Sequence, residues 1–532
     1  MLTALKLGNF KAFAETQNIP IRPLTLIFGA NSAGKSSILH GILYGAHVAK
    51  TGQLDANKIV HPQGEIDLGG FQQFIHQRDL SQPVKLGFAF DLAAMTNEKA
   101  EPLFSAKRIG MQIDILKSRL HDRCVVGDLE FSANDSWLFK MFNPSGSHRI
   151  REFNFENPII GEWVLKGTER MSGVNLTESN SGAIFRELED WCCEYRAYVD
   201  GLVPRAMSLF DDAMIAGVRT WPNFAPLLNW TKQSEKFLEP PWGKLSRVRI
   251  KINPKRQNKE LAEMAKFLML RLVEHLFETI HRLISTHVGK VEYIGPLRPI
   301  PPRQVLCTSL NELDFPMLHA IATKDPLRKK VNKWLGDKSK MATPYELVSR
   351  IYERSRKGSR TMHGFSDKNE ESAIRELLLI DRRTTTVVSA HDVGMGVSQI
   401  LPILVATLGS DYKIHAIEQP EIHVHPALQA ELGDVFIESA LGEQKNTFIL
   451  ETHSEHLLLR IMRRMRETCS GKLPKGIRAV RPDDVALFYV QPDGSRSIVR
   501  EMPLNERGEL QKQWPGGFFE EGLKEVLPSY DR

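Results

Sequence analysis

Short, mostly apolar segments recur along the chain and predict buried strands. Leu24–Phe28 is the first, and the apolar parts of Tyr412–Ile417 and Asn446–Leu450 have the same character. A continuous apolar run of this length is typical of a strand covered on both faces, as in a parallel sheet. The last two segments end in polar residues, as strands that carry a site in such a sheet do. Val291–Pro296 is predicted as a further strand that runs into a turn.

Between residues 83 and 168 the pattern changes to short alternating runs, which predict antiparallel strands. These predicted strands are Lys85–Asp91, Arg108–Leu116, Val125–Phe131, Arg149–Phe155 and Trp163–Lys166. Residues 180–288 are predicted to be mostly helical, with a long helix over 257–287. The sequence lacks the sustained heptads that a long coiled-coil arm would need.

Composition changes this picture little. Among 532 residues, 70 are Lys or Arg and 64 are Asp or Glu, so the formal net charge is +6. Such a charge over this length does not by itself indicate a nucleic-acid partner. Five scattered cysteines without Cys-x2-Cys spacing indicate free thiols in a reducing cytoplasm.

No membrane segment is expected. The initial stretch Leu2–Leu7 is too short for a signal peptide and is interrupted by Lys6. The most apolar helical stretch, Leu261–Ile284, carries several charged side chains, so it is predicted as a buried amphipathic helix. We therefore expect a cytoplasmic protein with no membrane partner.

The segment Gly29–Ser36 fits the phosphate-binding pattern Gly-x4-Gly-Lys-Ser/Thr. It stands between the predicted strand Leu24–Phe28 and a predicted helix that begins at Ser37. The glycines let consecutive backbone N–H groups face the phosphates of ATP, and the helix N-terminus adds its positive end. Lys35 can reach the β- and γ-phosphates, and Ser36 can hold Mg²⁺. The residues predicted to contact the nucleotide here are Gly29, Ala30, Asn31, Ser32, Ala33, Gly34, Lys35, Ser36 and Ser37.

A phosphate loop needs a carboxylate for its metal ion, usually at the end of a neighbouring strand. Glu418 ends the predicted strand Tyr412–Ile417, and we predict that it holds Mg²⁺ together with Ser36. His453 follows the next strand, where it could hydrogen-bond the γ-phosphate or the attacking water. The alternatives are an exposed acid at a strand end and a structural histidine.

A second glycine-rich turn, Asp392–Gln399, opens a helix. Backbone N–H groups around Gly394 and Gly396, with the hydroxyl of Ser398, could hold a phosphate there. A tight helix entry without a ligand explains the same residues equally well. The residues of the turn do not decide between these two interpretations.

The order of these motifs resembles that of ABC-type ATPases. Leu5–Phe13, closely followed by Ile27–Ser37, resembles the SMC/RecF/OLD branch of that group. Three further segments are typical of the OLD-like ATPases of prokaryotic phage defence, including the Septu- and retron-associated ATPases of the PtuA type: Tyr293–Arg298, Glu418–Gln429 and Trp514–Glu521. The resemblance leaves residues 100–285 uncovered.

This resemblance implies an α/β fold of the P-loop NTPase class, with an ABC-type head. Such a head has a mixed sheet plus an antiparallel β subdomain, and here also a helical insertion. We expect four regions along the chain: a first ATPase lobe with the phosphate loop at 1–170, the helical insertion at 171–288, a second ATPase lobe at 289–470 and a small C-terminal extension at 471–532.

The resemblance also implies roles for single residues. In ABC-type ATPases two heads sandwich two nucleotides, and a signature turn of each head reaches the γ-phosphate held by its partner. Here Gly394–Gln399 would be the signature turn, Gln72 or Gln73 the glutamine of the Q-loop, and His453 the switch histidine.

Gln419 stands where the resembled family carries its catalytic glutamate. A glutamine can orient water but cannot accept its proton. Hydrolysis would then be slow, would use Glu421 or would need a partner. We therefore expect an ATPase that works as an ATP-gated switch.

The sequence suggests no nuclease site of its own. It contains no Asp-x-Asp pair, which OLD nucleases carry, and we interpret the pair His423 and His425 as structural rather than metal-binding. The resemblance implies an antiviral subunit that forms a homodimer or higher oligomer through its ATPase heads and controls a separate nuclease of the HNH type. Some such systems add a reverse transcriptase with its DNA–RNA hybrid. A RecF/SMC-like DNA-repair ATPase is the alternative, and a transporter subunit fits least.

Two clusters of basic residues are candidates for contacts with a nucleic-acid backbone. The first lies within residues 325–360, and the second consists of Arg460, Arg463, Arg464 and Arg466. For each cluster a solvated protein face is the alternative interpretation.

Overall fold

The computed structural model describes most of the chain. The residues that it describes are 1–61, 64–92, 106–118, 124–142, 149–154, 156–172, 175–177, 181–184, 186–188, 261, 262, 265, 283–298, 304–306, 316–352 and 374–515. Most of the predicted helical insertion at 171–288, including nearly all of the predicted helix 257–287, lies outside these residues. The insertion and the domain boundaries drawn from the sequence therefore stay predictions.

The strands of the described residues are β1 (Leu2–Gly8), β2 (Gln17–Pro20), β3 (Leu24–Gly29), β4 (Lys58–His61), β5 (Gly64–Asp67), β6 (Val84–Asp91), β7 (Arg108–Lys117), β8 (Cys124–Ala133), β9 (Ser136–Phe142), β10 (Arg149–Phe153), β11 (Val291–Ile294), β12 (Gln304–Leu306), β13 (Tyr345–Tyr352), β14 (Ile374–Asp381), β15 (Thr386–Val388), β16 (Ile414–Glu418), β17 (Thr447–Glu451), β18 (Val485–Asp493) and β19 (Arg496–Glu501). The α-helices are α1 (Lys35–Thr51), α2 (Phe71–Phe74), α3 (Pro158–Ser172), α4 (Pro316–Thr323), α5 (Asp325–Gly336), α6 (Met395–Leu408), α7 (Pro426–Leu441) and α8 (Glu455–Cys469). None of the helices in the described part of the chain is long and apolar enough to span a bilayer.

The described residues form two compact units. Unit 1 consists of Met1–Pro20, Gly41–Asn57 and Leu68–Lys290, and unit 2 consists of Ile21–His40, Lys58–Asp67 and Val291–Arg532. The phosphate-loop segment therefore belongs to unit 2.

Unit 1 is built on an antiparallel sheet with the strand order β10-β9-β8-β7-β6-β1-β2. Alternation places one face of each strand in the core, as the buried Val84, Leu86, Phe88 and Phe90 of β6 illustrate. Four of the five strands predicted from alternation are present, as β6, β7, β8 and β10. The predicted antiparallel β subdomain is thereby confirmed.

The fifth predicted strand, Trp163–Lys166, is wrong because this segment lies within helix α3. Ile159, Ile160, Trp163 and Val164 are all buried, and their spacing of three to four residues places them on one face of a helix. The side-chain oxygen of Asn157 accepts a hydrogen bond from the backbone N–H of Ile159 (3.1 Å), as a helix N-cap does. The four residues Trp163–Lys166 alone fit the alternation of a strand, whereas the apolar residues over the whole of α3 follow helical spacing.

Unit 2 is built on a mixed sheet with the strand order β11-β16-β17-β3-β18-β19. Neighbouring strands from β11 to β18 are parallel, and only the β18–β19 pair is antiparallel. All residues of β3 and β17 are buried, which explains why their sequences are mostly apolar. The predicted α/β class with a mixed sheet behind the phosphate loop is confirmed.

Helices α6, α7 and α8 supply much of the core of unit 2. The rings of Phe436 on α7 and Phe448 on β17 lie 5.0 Å apart between their centroids. Trp514, near the end of the described chain, packs edge-on against Phe28 of β3 at 5.6 Å. Strand β3, which leads into the phosphate loop, is thus part of the core that these helices form and also packs against the C-terminal region. A small antiparallel sheet, β12-β14-β13 with β15 on β14, also belongs to this unit.

Candidate nucleotide site

The phosphate loop connects the end of β3 with the start of α1. Gly29 has φ +151°, and a Cβ atom there would lie only 2.3 Å from the carbonyl oxygen of Val490, so no other residue fits. Gly34 and Ser32 also have positive φ, at 90° and 60°. The loop therefore curls as a phosphate cradle requires. Ala30, Asn31 and Ser32 are exposed at its tip, whereas Ala33 and Ser37 are buried beneath it.

The side chain of Lys35 lies back over the loop. Its Nζ atom donates hydrogen bonds to the carbonyl oxygens of Gly29 (3.2 Å) and Ala30 (2.9 Å). Lys35 is 5% exposed, and this burial lowers its pKa, against the opposing effects of Glu451 and Glu421. Bound phosphates would replace the two carbonyl oxygens as acceptors of the ammonium group.

Two glutamates lie side by side next to this loop. The parallel register of β16 and β17 pairs Glu418 with Glu451. Ser36 and Lys35 interact with Glu451, and Nε2 of His40 lies 3.4 Å from Oε1 of Glu418. Burial, and next the charge of Glu418, raises the pKa of Glu451 to about 7. Glu418 occupies the predicted position, but the sequence analysis did not select Glu451, although it noted the polar end of that strand.

These side chains fit a magnesium ion. Oε1 of Glu418 and Oε2 of Glu451 are buried and lack a hydrogen-bond partner among the described residues. A hydroxyl and two carboxylates are the oxygen donors that Mg²⁺ prefers. No cluster of three His, Cys, Asp or Glu side chains suited to a metal occurs in the described part of the chain, and the role of Ser36 as a metal ligand stays a prediction.

Glu421 is held by the segment that follows β17. Its Oε2 accepts a hydrogen bond from the hydroxyl of Thr452 (2.7 Å), and its Oε1 accepts one from the backbone N–H of His453 (2.6 Å). The hydroxyl of Ser454 donates to Oε1 of Gln429 (2.7 Å). Burial raises the pKa of Glu421, and these hydrogen bonds act against that rise. Glu421 thus braces the loop that carries His453.

The imidazole of His453 is half-buried. Burial, followed by the charge of Lys35, lowers its pKa, which favours the neutral ring at neutral pH. A neutral imidazole can hydrogen-bond a phosphate oxygen or a water molecule. His453 follows β17, which pairs directly with β3, and its role at the γ-phosphate stays a prediction.

Gln419 begins the turn after β16 in a left-handed conformation, with φ +43°. Its backbone N–H donates to the carbonyl oxygen of Glu451 (2.8 Å). Arg298, which is 3% exposed, donates through Nη2 to the carbonyl oxygens of Glu418 (3.1 Å) and Gln419 (2.9 Å). Burial lowers the pKa of Arg298 to about 10. The buried guanidinium therefore fixes the backbone at the two residues on which the predicted chemistry depends.

The predicted signature turn leads into α6 with Gly394 as its N-cap. Gly394 and Met395 are exposed, whereas Ser398 is buried and its hydroxyl donates to the carbonyl oxygen of Ala390 (2.6 Å). A Cβ atom on Gly396 would lie 3.0 Å from the carbonyl oxygen of His423. Within Gly394–Gln399, Gly394 and Met395 are therefore the most exposed residues, Gly396 and Val397 are partly exposed, and Ser398 and Gln399 are buried.

Gln399, the last residue of this turn, is buried and pairs with the backbone of Arg298. Its Nε2 donates to the Arg298 carbonyl oxygen (2.9 Å), and its Oε1 accepts from the Arg298 N–H (3.3 Å). Arg298 therefore connects α6 with the end of β16. From the sequence alone, Tyr293–Arg298 is recognisable only as a segment typical of OLD-like ATPases, with no contact predicted for Arg298.

The other predicted residues are placed as follows. Gln72 and Gln73 are exposed on α2 in unit 1, and their Q-loop role stays a prediction. His425 caps α7, because its Nδ1 accepts a hydrogen bond from the N–H of Ala427 (3.3 Å). This contact supports the structural interpretation of the His423 and His425 pair.

The two basic clusters differ in structure. Lys329, Lys330 and Lys333 are exposed on α5, whereas residues 353–360 lie outside the described residues. Arg460 and Arg464 instead form ion pairs with the buried Asp434. Arg463 and Arg466 of the second cluster are exposed, and Arg463 forms an ion pair with Glu467, so the α5 cluster presents three exposed cations and the second cluster two.

Comparisons with known families place both halves of the site in ATPase domains. Residues 4–85 match an AAA-domain family, and residues 317–460 match a second one, described as "AAA domain, putative AbiEii toxin, Type IV TA system". Residues 480–527 match DUF3696, a family described as a protein of unknown function. No curated protein sequence matches the chain. All predicted site residues fall within the two AAA-domain matches, which supports a P-loop ATPase.

Solved structures of SMC heads are also similar to this chain. The SMC head bound to the C-terminal winged-helix domain of ScpA has 10% identity and a TM-score of 0.39, over 94% of this chain and 98% of that one. The SMC head domain from Thermotoga maritima has 8% identity and a TM-score of 0.35, over 94% and 99%.

Proposed function

We propose that the chain is an ATP-binding and ATP-hydrolysing subunit that works as a nucleotide-gated switch. One observation supports this best: the phosphate loop, Glu418 and His453 follow the ends of three neighbouring strands, β3, β16 and β17. Phosphoryl transfer needs a phosphate cradle, a carboxylate for the metal ion and a polar group near the γ-phosphate.

Each residue then has a distinct task in binding. Lys35 exchanges the carbonyl oxygens of Gly29 and Ala30 for oxygens of the β- and γ-phosphates. Ser36 and Glu418 would hold Mg²⁺, which neutralises phosphate charge when it is bound. His453, as a neutral imidazole, orients the γ-phosphate or the attacking water.

The attacking water lacks a strong base in this proposal. Gln419 can orient the water but cannot take its proton. Both carboxylate oxygens of Glu421 already accept hydrogen bonds, from Thr452 and His453. We therefore expect slow turnover by the isolated chain, and an ATP-bound state that persists.

The exposed turn at Gly394 and Met395 suits a composite site. A free helix entry can reach a phosphate held by another molecule, because backbone N–H groups and the helix dipole favour an anion. We propose that two copies enclose ATP in this way, as the resemblance to ABC-type ATPases implies.

The biological role that fits best is antiviral defence. The motif resemblance to OLD-like defence ATPases supports it, as does the family match over 317–460, whose description names the AbiEii toxin and a type IV TA system. In this role the ATP-bound dimer controls a separate nuclease of the HNH type, in some systems together with a reverse transcriptase and its DNA–RNA hybrid.

A DNA-repair ATPase of the RecF/SMC type is the second candidate. The exposed Lys329, Lys330 and Lys333 on α5 favour it, because lysines on one face suit a phosphate backbone. Direct DNA binding by the isolated chain, weakened when these lysines are neutralised, would support this candidate over the first.

Nucleotide binding by Lys35→Ala tests the proposal. We expect Mg²⁺-ATP affinity, measured by calorimetry, to fall by about 100-fold, because charge-assisted hydrogen bonds to the phosphates are lost. Lys472→Ala, which removes an exposed lysine after α8, is the matched control and should bind as the wild type does. Equal affinities of Lys35→Ala and the wild type would refute the nucleotide site, and fast turnover by the isolated wild type would refute the switch.

The partner is tested by co-expression of the tagged chain with its flanking genes. We expect a nuclease subunit to co-purify, and the mass of the complex to change with ATP. Co-purification of recombination proteins without a nuclease would support the repair candidate instead.

A further inference from the structure

The metal side of the phosphate loop carries two carboxylates rather than one. β16 and β17 are parallel neighbours, and their register pairs Glu418 with Glu451. Neighbouring strands in a sheet are about 5 Å apart, so the two side chains leave their strands next to each other. The side chain of Glu418 is 12% exposed, and Glu451 is 5% exposed.

The contacts of Glu451 direct it towards the cation site. Ser36, whose hydroxyl is predicted to hold Mg²⁺, and Lys35 are the groups of the phosphate loop that interact with Glu451. Its Oε2 is buried and has no hydrogen-bond partner among the described residues, whereas Oε1 of Glu418 lies 3.4 Å from Nε2 of His40. A buried carboxylate oxygen without a hydrogen bond therefore lies on the strand next to Glu418 and beside the phosphate loop.

Two buried carboxylates side by side repel each other and lose hydration, so the pair is unfavourable without a counter-charge. Lys35 and, when it is protonated, His40 are the cationic groups near the pair. Lys35 turns to the phosphates when a nucleotide binds. A divalent cation is the counter-charge that can satisfy both carboxylates and the triphosphate together.

We propose that Glu451 is a second carboxylate of the magnesium site and that, with Glu418, it makes ATP binding strictly dependent on a divalent cation. This inference rests on the proposed nucleotide site. Without the cation, the β- and γ-phosphates meet two carboxylates and bind weakly. With the cation, both carboxylates help to hold it.

ATP affinity in excess Mg²⁺ and in EDTA tests this role. In EDTA at about pH 8.5, where the Glu451 carboxylate is charged, Glu451→Gln should bind ATP about tenfold more tightly than the wild type, because one repulsive charge is removed while the side-chain shape is kept. In Mg²⁺ the same variant should bind no more tightly than the wild type. Glu443→Gln, at an exposed glutamate after α7, is the matched control and should change neither affinity.

If Glu451 has only a structural role, its substitution should change the ATP affinity in EDTA in the opposite direction. Its substitution would then weaken ATP binding both in Mg²⁺ and in EDTA, and that result overturns the inference. Glu451→Asp checks the role of charge, because it keeps the carboxylate and should keep the weak binding in EDTA. Tight binding by Glu451→Asp in EDTA would also overturn the inference.

Binding of Mn²⁺ alone, followed by electron paramagnetic resonance, separates this inference from the proposed function. We expect Mn²⁺ affinity without nucleotide to fall by about tenfold in Glu451→Gln, since one of two carboxylate ligands is lost. Wild-type protein that binds Mn²⁺ in this way but not ATP would refute the proposed function and leave the cation site supported. Wild-type protein that binds ATP, with the same Mn²⁺ affinity in Glu451→Gln, would refute only the role of Glu451.

Discussion

Two turns in unit 2 are glycine-rich and lead into a helix, but their structures differ. Gly29–Ser36 leads into α1, and Gly394–Gln399 leads into α6. The first turn has positive φ at Gly29, Ser32 and Gly34. The second enters its helix from Gly394 at φ −57°, a value open to any residue. The first turn needs its glycines for positive φ and close backbone contact, whereas in the second turn only Gly396 closely approaches another backbone atom, the His423 carbonyl oxygen.

The side chains of the two turns also differ in whether they are available to a ligand. In the first turn, Lys35 and Ser36 face acceptors that a nucleotide or a cation can replace. In the second, Ser398 and Gln399 make buried hydrogen bonds within unit 2. The first turn can therefore cradle a phosphate by itself, whereas the second offers only its exposed entry to a ligand brought by another molecule. Glycine content alone does not distinguish these cases.

Replacing the first glycine of each turn by alanine should give the largest difference in the free energy of unfolding between the two turns. Gly29→Ala should lower the free energy of unfolding by about 3 kcal/mol or more, because its Cβ would overlap the Val490 carbonyl oxygen. Gly394→Ala should change it by less than about 0.5 kcal/mol, because no atom lies within 4 Å of the added Cβ. Urea unfolding followed by circular dichroism measures both. Similar losses in the two variants would show that the turns do not differ as described.

A charge on the exposed turn tests the second site alone. Met395 is 52% exposed, and Met395→Glu would bring a negative charge towards a phosphate held by another copy. We expect ATP-dependent dimerisation to weaken by about tenfold or more, while ATP binding by the monomer is unchanged. Analytical ultracentrifugation with and without ATP measures the first effect, and calorimetry the second.

Leu459→Glu is the matched control for this substitution. Leu459 is 54% exposed on α8, away from the turn in sequence, and its substitution adds the same charge. It should leave the dimer intact. Equal weakening by both substitutions would indicate a general effect of charge rather than a contact at the signature turn.

The difference between the turns also explains what could be predicted from the sequence. The phosphate loop is a local motif, so its spacing from Gly29 to Ser36 and its flanking strand were sufficient. Glu418 was predicted because it follows an apolar strand. Glu451 follows a similar strand but was not selected, because its pairing with Glu418 depends on the register of β16 and β17. Register is set by the whole sheet, which local patterns do not describe.

Other features depended on contacts that are distant in sequence. Arg298 is buried against the carbonyl oxygens of Glu418 and Gln419, which lie 120 and 121 residues further along the chain. The segment Tyr293–Arg298 indicated a family resemblance, but it did not predict these contacts of Arg298. The strand predicted at Trp163–Lys166 failed for a local reason, since helical spacing emerges only over the longer window of α3.

A smaller loss than that of Gly29→Ala is expected at Ser398, which is a predicted nucleotide contact of the second turn. Its hydroxyl donates to the Ala390 carbonyl oxygen at 2.6 Å and is 1% exposed as a residue, so Ser398→Ala should remove a buried hydrogen bond. We expect a loss of about 1 kcal/mol in the free energy of unfolding, with ATP-dependent dimerisation nearly unchanged. If Ser398 instead turns outwards to a phosphate of the partner copy, the dimer should weaken more than the fold, and the second turn would then act as a nucleotide contact through its side chain. Chemical unfolding and sedimentation of the same variant therefore decide between an anchored helix entry and a signature serine that is engaged only in the dimer.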